Sequence, residues 1–203
     1  MYRSFLKRLF DLFSSGCALV FISPILLYIA YLVKTRLGSP VLFTQIRPGK
    51  DGKLFRMYKF RSMTDERDAE GNLLPDDVRL TEFGKKLRAT SADELPELIN
   101  IFKGDMSVVG PRPQLVRDMV FFTEEEMKRQ SVYPGLTGLA QICGRNNITW
   151  KEKFAFDLQY IKDISFLEDM RIIFRTVFKV SAQEDIATDG METAEDYGDW
   201  LLR

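Results

Sequence analysis

The clearest pattern in the chain is a nearly unbroken apolar run over residues 9–33, followed by segments in which apolar and polar positions alternate. About 20 apolar residues suffice to cross a bilayer as a helix, so this run is the first predicted element. After it, residues 41–45 and 54–60 are β-prone runs around Pro48-Gly49-Lys50-Asp51-Gly52, which predicts a β-hairpin. In its second strand Phe55, Met57 and Lys59 share one face and Arg56, Tyr58 and Phe60 the other. Residues 65–77 are polar and broken by Gly71-Asn72 and Pro75, a loop. A short helix is predicted over 81–88. A second starts at Ser91, with Glu94 three residues on in a capping-box pattern. Apolar positions at loosely helical spacing recur over 114–130 (Leu115, Met119, Val120, Phe122, Met127), and again over 150–161 and 166–180. Such stripes usually face a core; on a membrane-seated protein, one or two can lie in the interface.

The apolar run does not read as a simple span. Ser23-Pro24 sits in its middle, where proline removes a backbone donor. Arg3, Lys7 and Arg8 precede it and Lys34 and Arg36 follow, so the positive-inside tendency draws both ends to the cytoplasm. Asp11 lies only two residues inside, near headgroup depth. A helix bent at Ser23-Pro24 that enters and leaves through one leaflet meets all three conditions, with the Ser23 hydroxyl satisfying freed carbonyls. A kinked full crossing is the rival reading. A cleaved signal peptide fits poorly, since no small-x-small site follows.

Charge refines this picture. Acidic and basic residues balance at 29 each, which argues against a nucleic-acid partner. Bases crowd the first third, however, and suit an anionic membrane surface or a phosphate-bearing substrate. Residues 184–199 hold seven acids and no base, and are expected to form a solvated tail. The two cysteines, Cys17 and Cys143, have no metal-site or disulfide spacing. The chain has no histidine, so proton or group transfer must rest on carboxylates, lysine or a metal.

The candidate chemistry lies in RATSADELPELINIFKGDMSVVGPRP, residues 88–113. Asp93 and Glu94 have a simple reading, since acids near a helix start stabilise its dipole and Glu94 could close the capping box. The same place also favours an ionised carboxylate and can hold a phosphate. Arg112, between Pro111 and Pro113, is rigidly presented for bidentate phosphate contact or for a surface salt bridge. Asp105 is left open between turn and cap. The second glycine-rich string, Pro134-Gly135-Leu136-Thr137-Gly138-Leu139-Ala140-Gln141 leading to Gly144-Arg145-Asn146-Asn147, allows close approach to a ligand. No P-loop or dinucleotide fingerprint is present.

These strings together, with Ser23-Pro24 as a break motif, resemble the small monotopic bacterial phosphoglycosyl transferases, the bacterial sugar transferase family, over residues 1–180. The resemblance implies an α+β, mainly helical protein. Its parts would be a re-entrant membrane helix (1–36), a compact cytoplasmic catalytic domain with a small β-hairpin and interfacial amphipathic helices (37–182), and an acidic tail (183–203). It implies transfer of a sugar 1-phosphate from a UDP-sugar to undecaprenyl phosphate at the cytoplasmic face of the bacterial inner membrane, with release of UMP. In that scheme Asp93 is the nucleophile, and Asp93 and Glu94 hold Mg2+. Arg112 with Pro111 and Pro113, Arg145 and Asp169 bind substrate, while Lys7 and Arg8 meet headgroups or the acceptor phosphate. The wording is nearest to members that handle UDP-di-N-acetylbacillosamine, and a homodimer is compatible with it. A non-catalytic membrane adaptor explains the charge distribution but not the joint occurrence of these strings.

Overall fold

The computed structural model describes residues 2–144, 148–182 and 197–201. A single turn, Tyr2–Leu6, leads into α1, Lys7–Leu37, which stops at Gly38 with φ 87°. The helix continues through Pro24. Proline there cannot donate to the carbonyl of Val20, four residues back, and the Ser23 hydroxyl donates to that carbonyl instead at 2.8 Å. The expected compensation by Ser23 is thus present, and the helix runs on past the proline.

A helix of 31 residues is roughly 46 Å long if straight. One face of α1 packs against the rest of the chain along this whole length. Near its start Asp11 accepts from the Ser107 hydroxyl and the Val108 N–H at 3.0 and 2.9 Å. In its middle Ala18, Leu19 and Ile22 lie on Leu98, Ile101 and Met106. At its end Val33 and Leu37 are buried with Phe60 and Leu87. The opposite face is exposed and apolar: Phe13, Val20, Phe21, Leu27 and Tyr31 each show more than 60% of their surface. By length and composition α1 could cross a membrane.

The hairpin forms as its alternation predicts. β1, Leu42–Pro48, pairs antiparallel with β2, Leu54–Phe60, from Leu42 opposite Phe60 to Pro48 opposite Leu54. Phe55 and Met57 enter one apolar cluster, and Phe60 on the other face enters a second. Then come α2, Asp76–Arg79, α3, Glu82–Ala89, and α4, Glu97–Lys103. Thr81 caps α3 by accepting from the Gly84 N–H. β3, Ser107–Val109, pairs in parallel with β4, Gly135–Thr137, an element the alternation did not reveal.

The stretch 114–130 is not the continuous helix its spacing suggests. It is a turn at Val116–Phe121, then α5, Glu124–Met127, then a turn at Lys128–Ser131. Thr123 and Glu126 close a capping box that starts α5 afresh. The remaining helices are α6, Leu139–Cys143, α7, Trp150–Lys162, α8, Phe166–Ala182, and α9, Tyr197–Leu201. In α8, Asp169 and Ile172 are buried, but Phe166, Leu167, Phe174, Val177 and Phe178 are exposed, so most of its apolar stripe faces outward. Residues 197–201 pack on the body, with Tyr197 buried beside Trp150 and Phe154, which corrects the expectation of a wholly solvated tail.

Candidate active site

The acids of the Asp-Glu pair lie on a single turn, Ala92–Glu94, wedged between α3 and α4. Ser91, before the turn, has φ 53° and makes no side-chain cap. A residue in this left-handed conformation is not the extended N-cap a capping box needs, so the box does not form. The Glu94 carboxylate, freed from capping, turns to cations. Lys59 Nζ lies 2.7 Å and Arg112 Nη2 2.5 Å from its Oε1.

Lys59 is placed by β2, and β2 is fixed to α4 by a side-chain amide. The buried Asn100 donates to the Arg56 carbonyl at 2.7 Å and accepts from the Tyr58 N–H at 3.0 Å, standing in for a neighbouring strand. It also donates to Asp105 at 3.1 Å, which settles Asp105 as a structural acceptor. Lys59 then reaches Glu97, on the first turn of α4, at 3.4 Å. Arg112 arrives from the turn after β3. Its carbonyl accepts from Arg129 at 2.7 Å, and Arg129 is itself buried, paired with Asp157 at 2.7 Å and lying over the rings of Phe122 and Phe154. Pro111, Arg112 and Pro113 line a small concavity with Pro48, Gln130 and Pro134.

The electrostatic result is asymmetric. Burial, the largest single influence on Glu94, works against its charge. Arg112 and Lys59 together outweigh burial and hold the carboxyl well below the usual range. Asp93, 9% exposed, is pushed up to about 6, first by burial and then by the Glu94 charge, against the attraction of Lys59, Arg88 and Arg112. The helix-start argument predicted the opposite direction for Asp93; desolvation and a like charge override it. Glu97, almost fully buried, rises to about 7 for the same two reasons. Neighbouring carboxylates driven apart in this way, beside cations, make this turn the candidate site.

Other expected site residues fall elsewhere. Asp169 is completely buried and accepts from Tyr2 and Lys7 at 2.6 Å each and from Tyr160 at 2.7 Å, so its oxygens are taken by α1's approach and α7. Lys7 is accordingly buried rather than offered to headgroups. Arg8 donates to the carbonyls of Ile101 and Phe102 at 2.6 and 2.9 Å, capping the end of α4. Ser23 and Pro24 lie on the exposed face of α1. Arg145 is outside the described residues. The glycine-rich string serves backbone packing: a Cβ on Gly135 would sit 2.1 Å from the Gly110 nitrogen, and one on Gly138 would sit 2.2 Å from the Gly110 oxygen.

Comparison with known proteins supplies the family. The profile of the bacterial sugar transferase family matches residues 2–183. This chain belongs to the bacterial sugar transferase family. An uncharacterized sugar transferase of Bacillus subtilis, EpsL, is 50% identical over 190 residues, 94% of each chain. A UDP-glucose:undecaprenyl-phosphate glucose-1-phosphate transferase of Klebsiella pneumoniae is 45% identical over 186 residues, 85% of this chain and 39% of the relative. An undecaprenyl-phosphate galactose phosphotransferase of Salmonella typhimurium is 37% identical over 198 residues, 89% of this chain and 41% of the relative. The chain therefore spans about two fifths of the length of these two relatives.

In this sugar transferase, sequence reasoning missed Glu97, Arg129 and the role of Lys59. The alternation of β2 carried the signal for Lys59, which shares the inward face of Phe55 and Met57. Glu97 follows Asp93 by one helical turn, the spacing that puts two side chains on one face. Nothing local marks Arg129, because its charge partner Asp157 lies 28 residues further along the chain. No cluster of three or more typical metal ligands occurs among the described residues. Two adjacent carboxylates still suit Mg2+, which commonly takes one or two protein carboxylates and completes its shell with substrate phosphates and water.

Proposed function

We propose that this protein transfers a sugar 1-phosphate from a UDP-sugar to undecaprenyl phosphate through a covalent intermediate on Asp93. The observation that carries the reading is the opposed pair: Glu94 kept ionised by Lys59 and Arg112, with Asp93 beside it pushed up to about 6. At neutral pH Asp93 is mostly ionised, yet more basic than an ordinary aspartate, which suits a nucleophile.

A carboxylate oxygen of Asp93 attacks the β-phosphorus of the UDP-sugar. The bond from that phosphorus to the bridging oxygen breaks, and UMP leaves with the electron pair. An oxygen of the lipid phosphate then attacks the same phosphorus, the aspartyl–phosphorus bond breaks, and Asp93 returns as carboxylate with a polyprenyl-diphosphate-linked sugar as product. Neither step needs a proton from the protein, in keeping with a chain without histidine. Arg112 and Lys59 supply cationic contacts to phosphate oxygens, and Glu94 holds both cations in place beforehand. Mg2+ held by Asp93 and Glu94 together with the diphosphate would neutralise part of its charge.

The membrane seat is α1. Its two ends pack on the same body, and a helix crossing a bilayer would carry them to opposite sides. In this reading the exposed apolar face lies in one leaflet with both ends at the cytoplasmic surface, and the packing of both ends on one body supports it. The outward apolar stripe of α8 joins it, since Phe166 packs edge-on against Tyr2 and Phe10.

The test is UMP release by detergent-solubilised protein, with and without lipid acceptor. The sugars to screen are those named for relatives, UDP-glucose and UDP-galactose, together with UDP-di-N-acetylbacillosamine. Release without acceptor, and trapping of a labelled sugar phosphate on Asp93, support the covalent route. Release only when acceptor is present would favour direct attack by the lipid phosphate. No release from any sugar would favour the adaptor reading.

A further inference from the structure

The family match ends at residue 183, yet α9 lies beyond it and is seated on the body. Tyr197, 5% exposed, is inserted among aromatic rings: its centroid lies 4.9 Å from Phe154 edge-on, 5.7 Å from Phe122 and 5.6 Å from Trp150. Trp200 stacks on its outer side at 6.0 Å. The seat is shaped for this segment. A Cβ on Gly198 would come within 2.8 Å of the Phe121 ring, while the Gly198 N–H donates to Asp118 at 3.3 Å. Asp199 adds a surface pair with Arg117 at 3.5 Å.

The rings that receive Tyr197 have a second occupant. The guanidinium of Arg129 lies 5.6 Å from the centroid of Phe122 and 5.1 Å from that of Phe154, and it is the group that holds the Arg112 carbonyl. A run of contacts thus leads from the C-terminal segment through two shared rings and one buried arginine to the turn that presents Arg112. We propose that Tyr197–Leu201 is a latch that positions the Arg112 turn for the diphosphate of the nucleotide substrate. The proposal rests on the reading of Arg112 as a phosphate-binding group. Tyr197 is a positioning residue in this scheme: filling the ring pocket fixes Phe122 and Phe154, which fix Arg129, which fixes the backbone between Pro111 and Pro113. Without the latch the cation is still present but is held less firmly, so nucleotide binding weakens while the chemical step is retained.

The experiment compares the full chain in detergent with its Tyr197→Ala and Tyr197→Phe variants, measuring UDP affinity by calorimetry and the KM and kcat of UMP release. Tyr197→Ala is expected to raise the Kd for UDP and the KM about 5- to 10-fold with kcat within about twofold. Tyr197→Phe keeps the ring and loses only a long 3.5 Å contact to Glu126, so it is expected to bind like the wild type. A folded Tyr197→Ala protein with wild-type UDP affinity overturns the latch, and so does a variant whose kcat falls while KM holds. Should Tyr197→Ala fail to fold, Tyr197→Leu is measured in the same way; loss of fold in both makes the segment ordinary core and overturns a positioning role. A wild-type protein that neither binds UDP nor releases UMP removes the reading of Arg112, and the latch with it.

Discussion

Two buried acidic sites in this protein use similar residues but supply their acids with donors very differently. At Asp169, each oxygen is met by donors: Tyr2 and Lys7 on one, Tyr160 on the other. Burial and Asp169 together push the Tyr160 phenol above its ordinary range, so it stays a donor. Around Asp93 the ratio is reversed. Glu94 and Glu97 share Lys59, Asp93 feels the Glu94 charge, and Lys59 and Arg112 both serve Glu94 at close range. The first cluster fastens α1 to α7 and α8; the second leaves an acid above its ordinary ionisation range beside cations. Burial is common to both sites; what differs is the supply of donors.

The comparison is broken most directly by neutralising one acid in each cluster. Asp93→Asn is expected to lower UMP release by roughly three or more orders of magnitude, as loss of a nucleophile does, without loss of fold. Retention of near-normal turnover would remove Asp93 as the nucleophile. Its effect on stability has a definite sign. Between its ordinary value of 3.8 and about 6, the folded protein binds a proton at Asp93 more tightly than the unfolded chain. That contribution is complete below pH 4 and is lost as pH rises through 6, a difference of up to roughly 3 kcal/mol. Asp93→Asn should accordingly be more stabilising at pH 7.5 than at pH 5, read as Tm at the two values.

Asp169→Ala should do the reverse, costing about 3–5 kcal/mol because it strands buried Lys7 and two hydroxyls. A variant with unchanged Tm would show that the network does not hold α1. Glu94→Gln comes next, with a loss of about 100-fold from weakened preorganisation of Lys59 and Arg112. It also moves the acid limb of the pH profile. If Asp93 is the nucleophile proposed, wild-type activity should fall as pH drops through about 6; without the Glu94 charge the limb should shift to lower pH. A limb that stays in place would belong to another group. The smallest effect is Arg8→Ala, which uncaps α4 and should cost about 1 kcal/mol. Binding to anionic vesicles should be unchanged within about twofold, whereas a large loss would restore Arg8 as a headgroup ligand.

Much of the frame was legible because it repeats. The apolar run of α1, the alternation of β2, the short helix α3 and the stripes of α7 and α8 are local patterns. Legibility failed where one residue redirected the chain. Ser91 enters the left-handed region and cancels the capping box; Thr123 restarts a helix inside the segment 114–130; Gly110 and Gly135 come too close for any other residue and build a parallel pair three residues long. At the site, the string from Asp93 to Pro113 was readable as chemistry. Its assignment of Lys7, Arg8 and Asp169 to lipid or substrate was not sustained, because side chains with the right charge were already committed to carbonyls and to one another.

The amino-acid order by itself determined that an apolar helix with basic ends adjoins an acid pair and a proline-held arginine, since run length, charge and proline geometry are properties of neighbours along the chain. How the two acids differ in ionisation was decided only in three dimensions. Lys59 comes from a strand and Arg112 from a distant turn, and both converge on Glu94 while burial and that same Glu94 charge act on Asp93. Ionisation depends on distances and desolvation that no stretch of sequence contains, and so two adjacent carboxylates become chemically different only when the chain folds.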